Sequence, residues 1–388
     1  MNRLKKLILP FLLTGLLSLS IVGCTSDDKD TDTNVKSDTQ QTEEQKDNKG
    51  NAEKKEDSDN SETRMFTDQF GNEVELPKKI EKVADVWDAH SQVMLLLGQA
   101  DKLVTTTERI QRTPWFAEVY PGIKDVIAPI KNDTIQLEEL VAQNPDVVIC
   151  LKEDEVAQVE GAGLKAVRLG FQDFDGLKET IRLTGELMGE EAEEKADEYI
   201  KYLEGNIEKL AEKTKDIEDS ERPKILHIFS GEDLTKVDGA KSIIGEWMKL
   251  AGGINAIESE ANHVDVNLEE IIATNPDIII IGGTGAAKGI ETIKNDPAWA
   301  DVKAVQEDKL YCNPVGTWKW DRYSAEEALQ VLWAGTLIHP ELFGDIDMVK
   351  ETKEFYKKFY DFELSDDQAQ RILDCKNPEG VDQDGPSN

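Results

Sequence analysis

The sequence predicts an α/β protein of two α/β lobes joined by a single long α-helix, with a cleft between the lobes. Three observations carry that prediction. A helix–turn–strand unit occurs twice, an amphipathic stretch separates the two copies, and short β-branched runs alternate with helical patterns around them. Gln136–Ile149 reads QLEELVAQNPDVVI and Asn267–Ile280 reads NLEEIIATNPDIII, identical at eight of fourteen positions. Leu137, Leu140 and Val141 form one helix stripe, as do Leu268, Ile271 and Ile272. Asn144-Pro145 and Asn275-Pro276 stop each helix, because proline lacks a donor and disfavours helix in its predecessor. Asp146–Leu151 and Asp277–Ile281 then read as short strands buried on both faces.

The flanking pieces fit the same plan. Ile80–Val86, Lys102–Thr106 and Lys224–Phe229 read as strands, Ser91–Gly98 as a short helix, and Ser242–Leu250 as a helix closed by Gly252-Gly253. From Leu177 to about Asp219 apolar residues recur at helical spacing, through Leu183, Leu187, Ala192, Ala196, Ile200, Leu203, Ile207 and Leu210. Glu191/Lys195 and Asp197/Lys201 add i,i+4 pairs. Such a pattern runs as one helix, too long for a simple crossover. The domain reading is a signal peptide at 1–23, a tether at 24–64, an N-terminal lobe at 65–175, the interlobe helix at 176–221, a C-terminal lobe at 222–376 and a frayed tail at 377–388. A further helix is expected near Met348–Tyr360.

The formal net charge of −34 over 388 residues is unevenly spread. Residues 1–23 are basic, residues 25–64 carry a net −6, and the remainder carries −31. Such a body lacks the basic footprint that nucleic acid requires, and protein charge does not draw it to an anionic membrane. Arg3, Lys5 and Lys6 precede the uncharged stretch Leu7–Val22, which is short and interrupted by Pro10, as in an export signal. It ends Ile21-Val22-Gly23-Cys24, which resembles the lipobox of bacterial lipoproteins. The resemblance implies cleavage before Cys24, a diacylglyceryl group on its sulfur, and anchoring on the outer face of the cytoplasmic membrane. Two acyl chains suffice for stable anchoring. Thr25–Arg64 holds only Val35 and Ala52 as apolar residues and reads as a disordered acidic tether. Cys150 ends an apolar run and reads as a core thiol. No CxxC occurs, and sequence leaves open whether Cys312 and Cys375 pair.

With these residues in hand, the chain resembles the ABC-transporter solute-binding proteins that include the ferric-siderophore, haem and vitamin B12 binders, from about Phe66 to Phe343. The repeated Leu-Glu-Glu…Asn-Pro-Asp unit carries the likeness. Asp296-Pro-Ala-Trp-Ala, Trp320-Asp-Arg-Tyr-Ser-Ala-Glu-Glu-Ala-Leu-Gln-Val-Leu-Trp333 and His339-Pro-Glu-Leu-Phe343 add to it. The resemblance implies a membrane-anchored, monomeric solute-binding component that hands a metal complex to a permease dimer and its ATPase. Its cargo is a ferric siderophore on the first reading. Haem, a corrinoid or a molybdate-type oxyanion are the alternatives, and a chelatase-like enzyme is a remote one. It also implies that one glutamate per lobe, Glu138 and Glu269, docks on the permease; Glu139 and Glu270 keep the register open.

Ligands of open α/β sheets bind beyond the carboxyl ends of the strands. The residues there are Trp87, His90, Arg109 and Lys152 in the first lobe, and Ser230, Gly283, Thr284 and Thr317 in the second. Trp318, Trp320 and Arg322 alternate, so in an extended loop they point one way, offering two indole faces and a guanidinium to a flat or anionic ligand. His90 reads as a hydrogen-bonding residue or a metal ligand. Gly282–Gly285 lacks the spacings of nucleotide loops but leads into a helix start that suits an anion. Only four histidines occur, which weakens a bare-metal site. No G-x-S-x-G or HExxH is present, so no enzyme, catalytic residue or cofactor is expected.

Overall fold

The computed structural model describes residues 62–131, 134–259 and 261–383. The chain divides into Met1–Ser58 and Asp59–Asn388, and all described residues lie in the second unit. The export signal, Cys24 and nearly all of the tether lie outside the described residues. The tether ends two residues earlier than its composition suggests, because Thr63–Thr67 pairs antiparallel with Glu73–Pro77. Phe66, Val74 and Leu76 alternate inward on this hairpin, and Asp68 closes its turn by accepting from the Phe70 and Asn72 amides at 2.9 Å. Arg64 ties the hairpin down by donating to the Glu186 and Leu187 carbonyls.

The first lobe is a six-stranded sheet in the order Thr134–Ile135, Ile127–Lys131, Leu103–Thr107, Val83–Asp85, Val147–Cys150, Ala166–Arg168. All neighbours are parallel except the first pair. The second lobe centres on Lys224–Ser230, parallel to Ile278–Ile281 and antiparallel to Asp233–Asp238, with Leu310–Cys312 beyond Ile278–Ile281. His263–Asp265 forms the far edge and Ile254–Asn255 pairs with the start of Lys224–Ser230. The strands of the repeat, Val147–Cys150 and Ile278–Ile281, are wholly buried, as unbroken β-branched runs in parallel sheets require. Their helices, Leu137–Ala142 and Leu268–Thr274, end just before Asn144 and Asn275, whose φ values of 47° and 45° turn the chain in the left-handed region before the proline.

The long interlobe helix is Glu190–Thr214, shorter than the span 176–221 expected for it, which also takes in most of a separate helix. Phe174–Met188 ends at Gly189, whose φ of 100° breaks the helix, and Glu190–Thr214 then runs back antiparallel to it. Periodicity persists across a break when both helices bury the same kind of stripe, so spacing alone did not reveal it. Close packing follows from Gly185, where a Cβ would stand 2.9 Å from the Ala196 side chain. Glu190–Thr214 lies against Glu327–Ile338 of the second lobe, through Tyr199 donating to the Ala325 carbonyl at 2.6 Å and Asn206 to Ala328 at 2.7 Å.

A second junction joins the lobes. Gln92, on Asp88–Leu96, is fully buried against the second lobe, donating to Thr317 Oγ1 at 2.8 Å and Glu326 Oε2 at 3.2 Å and accepting from the Ala325 amide at 2.7 Å. The tail expected to fray is folded as far as Gln383. Lys376 bridges Asp382, the Gln383 amide bonds the Cys375 carbonyl, and Trp115 of the first lobe donates to the Lys376 carbonyl at 2.8 Å. Cys150 is a buried core thiol, Cys312 and Cys375 are free cysteines, and Cys375 Sγ donates to the Asn313 carbonyl. No helix among the described residues is long and apolar enough to cross a membrane.

Candidate functional site

The carboxyl ends of the first-lobe strands open on a cavity of about 580 Å³. Its walls are Trp87, Phe171 and Phe70, with Tyr323 reaching across from the second lobe and Lys152 and Arg168 on the polar side. Trp87 packs on Phe171 with ring centroids 5.5 Å apart, and Phe171 on Tyr323 at 6.0 Å. A smaller recess of about 190 Å³ adjoins it, lined by Trp87, Asp88, Thr107, Arg109 and Lys152. Thr107 donates to Asp88 Oδ1 while Arg109 holds Asp88 Oδ2 at 3.2 Å, so Asp88 fixes the polar floor of this recess.

Trp87, Arg109 and Lys152 are therefore brought together. His90 is not part of the cavity. It is wholly buried, with Nδ1 2.8 Å from Asp85 and Nε2 3.0 Å from Thr184, so neither ring nitrogen is open to a ligand. Ser230, Gly283 and Thr284 form a closed crossing rather than an anion cradle. The Thr284 carbonyl accepts from both Ser230 Oγ and the Gly231 amide, and a Cβ on Gly231 would stand 2.9 Å from the first amide nitrogen of Ala286–Asn295. Thr317 belongs to the Gln92 junction, where it also bonds Tyr360 at 3.1 Å.

The alternation argument for Trp318, Trp320 and Arg322 fails. Residues 315–319 form a tight turn, with Val315 bridged to Lys319 and the Gly316 amide bonded to the Trp318 carbonyl. Trp318 is buried and Trp320 is sealed in the main apolar core. Arg322 is consumed internally: it lies 2.9 Å from Asp238 and 3.1 Å from Asp321, and stacks on Phe229 at 4.5 Å. Two adjacent indoles carry more apolar area than a cleft rim needs, so burial overrides exposure. The residue between them, Lys319, stays half-buried, with its ammonium 5.8 Å from the ring centroids of Phe229 and Trp318.

Around Arg322 the second lobe holds a dense charge cluster. His227 lies 2.8 Å from Asp238 and 3.2 Å from Asp321, and His263 is 3.0 Å from Asp238. Burial opposes ionisation of Asp238, yet Arg322 and the histidine hydrogen bonds outweigh it and hold the carboxyl well below its usual range. Burial likewise opposes charge on His227, but the two aspartates raise its proton affinity. Glu327 is buried beside them with neither carboxyl oxygen hydrogen-bonded, and burial together with the Asp321 charge pushes its carboxyl well above the ordinary range. Among the described residues no group of three or more His, Cys, Asp or Glu is placed to hold a metal ion.

Sequence reasoning missed Phe70, Arg168, Phe171 and Tyr323. The first lies in the turn of an unexpected hairpin. Arg168 and Phe171 end and follow Ala166–Arg168, a strand too short to read by alternation. The Gly170 that punctuates it is the one available signal.

The repeat glutamates occupy corresponding places on the two lobes. Glu138 and Glu269 are exposed in the first turns of corresponding helices, whereas Glu139 is paired with Lys131 at 2.6 Å.

Two lobes, a long interlobe helix and a cleft at the strand ends match a known architecture, and a periplasmic binding protein model aligns with residues 84–314. The chain belongs to the periplasmic binding protein family. This periplasmic binding protein is 23% identical over 336 residues to the molybdate-binding protein MolA of Haemophilus influenzae, covering 79% of this chain and 94% of that one. It is also 23% identical over 251 residues to the uncharacterized ABC transporter substrate-binding lipoprotein YvrC of Bacillus subtilis, covering 63% and 76%. A periplasmic solute binding protein from Veillonella parvula superposes with a TM-score of 0.72 at 26% identity, covering 81% of this chain and 97% of that one. The family comprises extracytoplasmic substrate-binding components of ABC importers, and this chain is one of them.

Proposed function

We propose that this binding protein, lipid-anchored through Cys24, captures a ferric siderophore between its lobes and delivers it to its permease. The observation that carries this reading is the cavity of about 580 Å³ walled by Trp87, Phe171 and Tyr323 with Lys152 and Arg168 beside them. Its size falls within the roughly 300–1,000 Å³ usual for organic ligands, and aromatic faces with cations suit a chelate of planar, anionic groups. Both ring nitrogens of His90 are occupied, which counts against axial ligation of haem by that residue. The smaller recess at Thr107, Arg109 and Lys152 favours a second reading, a compact oxyanion, and the likeness to a molybdate-binding relative supports it. Glu138 and Glu269 then grip the two halves of the permease dimer.

Titration of the purified full chain, followed by tryptophan fluorescence, tests the cargo. A ferric tris-catecholate is expected to quench saturably, and Trp87→Ala with Phe171→Ala to abolish most of the response. Silence toward iron chelates with a molybdate-induced rise in melting temperature overturns the siderophore reading, as does a haem Soret shift. Glu138→Arg with Glu269→Arg is expected to stop uptake while binding stays intact.

A further inference from the structure

The aromatic side chains that wall the cavity of about 580 Å³ are held in two ways. Trp87, Phe171 and Tyr323 pack on one another, with ring centroids 5.5 and 6.0 Å apart. Phe70 stands apart from them. Among the described residues its one ring contact is the Arg168 guanidinium, 4.0 Å from the ring centroid. Six large apolar side chains are exposed among the described residues, and of these only Phe70, 50% exposed, lines this cavity.

Phe70 sits in a turn whose other members are Asp68, Gln69, Gly71 and Asn72, residue types that make turns without an apolar partner. The two residues before it fasten the turn to the segment 168–180, which supplies much of the same wall. Asp68 Oδ2 accepts from the Arg168 amide at 3.1 Å. Gln69 Oε1 accepts from the Gly170 amide at 2.9 Å and the Thr180 hydroxyl at 2.8 Å, and Gln69 Nε2 donates to the Gly176 carbonyl at 3.1 Å. Arg168 is fixed in turn, its Nε donating to the Leu151 carbonyl at 3.1 Å. Ring and guanidinium are thus in place before a ligand arrives, and a ring already ordered loses little freedom on binding.

We propose that Phe70, backed by Arg168, is a specificity-determining position of this cavity, stacking on an electron-rich aryl ring of the cargo such as a catecholate. The cation on the Phe70 ring draws density toward itself, so the ring attracts an electron-rich neighbour more strongly than an aliphatic one. Trp87 and Phe171 then meet the rest of the cargo, and a chelate that carries several rings is gripped at two separate places. This rests on the reading of the cavity as the cargo site for an iron chelate and narrows the cargo to aryl-bearing chelates.

The test titrates the full chain, as wild type, Phe70→Leu and Phe70→Tyr, with a ferric tris-catecholate and a ferric tris-hydroxamate of similar size, read by tryptophan fluorescence. Phe70→Leu is expected to weaken the catecholate complex about 3- to 10-fold and to leave the hydroxamate complex unchanged. Phe70→Tyr, which keeps the ring, is expected to bind both as wild type does. Ligand-free Phe70→Leu is expected to melt with wild type, because the side chain is half exposed in a surface turn. Unchanged catecholate affinity in Phe70→Leu overturns the proposal. An equal loss toward both chelates, or a ligand-free variant that melts well below wild type, also overturns it by marking a general packing role. Wild-type binding confined to the hydroxamate overturns the aryl preference and leaves the iron-chelate reading standing. Wild-type silence toward both chelates overturns the iron-chelate reading itself, and the assignment of Phe70 falls with it.

Discussion

Each lobe buries a histidine on an aspartate, but the two sites are built differently. In the first lobe Asp85 accepts from the Trp87 amide at 3.0 Å and lies 2.8 Å from His90, whose other nitrogen meets Thr184. That is a closed hydrogen-bond set with no arginine or lysine in it. In the second lobe His227 stands among Asp238, Asp321 and Arg322, with Glu327 unpartnered alongside. The first arrangement orients a helix behind the cavity wall. The second concentrates charge among buried side chains, and its internal pairing removes Arg322 from ligand binding. Proximity of a cation to a cleft therefore says little until its carboxylates have been counted.

The largest expected effect tests that contrast. Asp238→Ala leaves a guanidinium that cannot shed its charge on Asp321 alone and takes a carboxylate from His227 and His263, and urea unfolding is expected to register a loss of about 3–5 kcal/mol. Asp85→Ala removes hydrogen bonds from uncharged donors as well as the His90 contact, and about 1–3 kcal/mol is expected. Equal losses would break the distinction between the two sites.

A second measurement separates the charge cluster from the junction at Gln92. Burial pushes the Glu326 carboxyl up from 4.5 to about 7. A raised acid keeps its proton in the folded state after the unfolded chain has released it. Its contribution is thus full below about pH 4.5 and is lost as pH rises through about 7, about 3 kcal/mol in all. His227, also raised, adds a loss in the same direction above its ordinary 6.5. Asp238 and Asp321 are depressed, so their contribution is present above 3.8 and is lost only below it. Unfolding midpoints measured from pH 4 to pH 8 are expected to fall; a rise across that window would contradict the burial of Glu326.

The smallest effect lies in the repeat itself. Asn267 caps its helix by accepting from the Glu270 amide at 2.9 Å, whereas Gln136 makes no cap bond at the matching position. Asn267→Ala is expected to cost about 1 kcal/mol and Gln136→Ala close to none, read from the same unfolding curves. Similar costs for both would mean that the two copies start alike despite their different caps.

The exposed repeat glutamates and much of the fold were legible because their signals are local. Proline after asparagine, β-branched runs and helical stripes depend on neighbours within a few residues, so the repeat, its strands and exposed Glu138 and Glu269 could be placed directly. Gly189 was also visible, but a glycine inside a periodic stripe breaks a helix only when packing takes advantage of its positive φ. The candidate site was less legible. Alternation from Trp318 to Arg322 assumed an extended loop, and a tight turn at Gly316 overturned it, burying the indoles.

By itself, the sequence determined the two-lobed α/β class, the duplicated unit, the acidic surface and the family likeness. Only the tertiary structure decided which side chains reach the cleft. It spent Arg322 on Asp238 and Asp321, closed both nitrogens of His90, and brought Tyr323 to the cavity wall beside Phe171. The physical reason is that backbone preferences act over a few residues, whereas the partner that satisfies a buried charge is chosen from residues distant in the chain, as Asp238 is from Arg322.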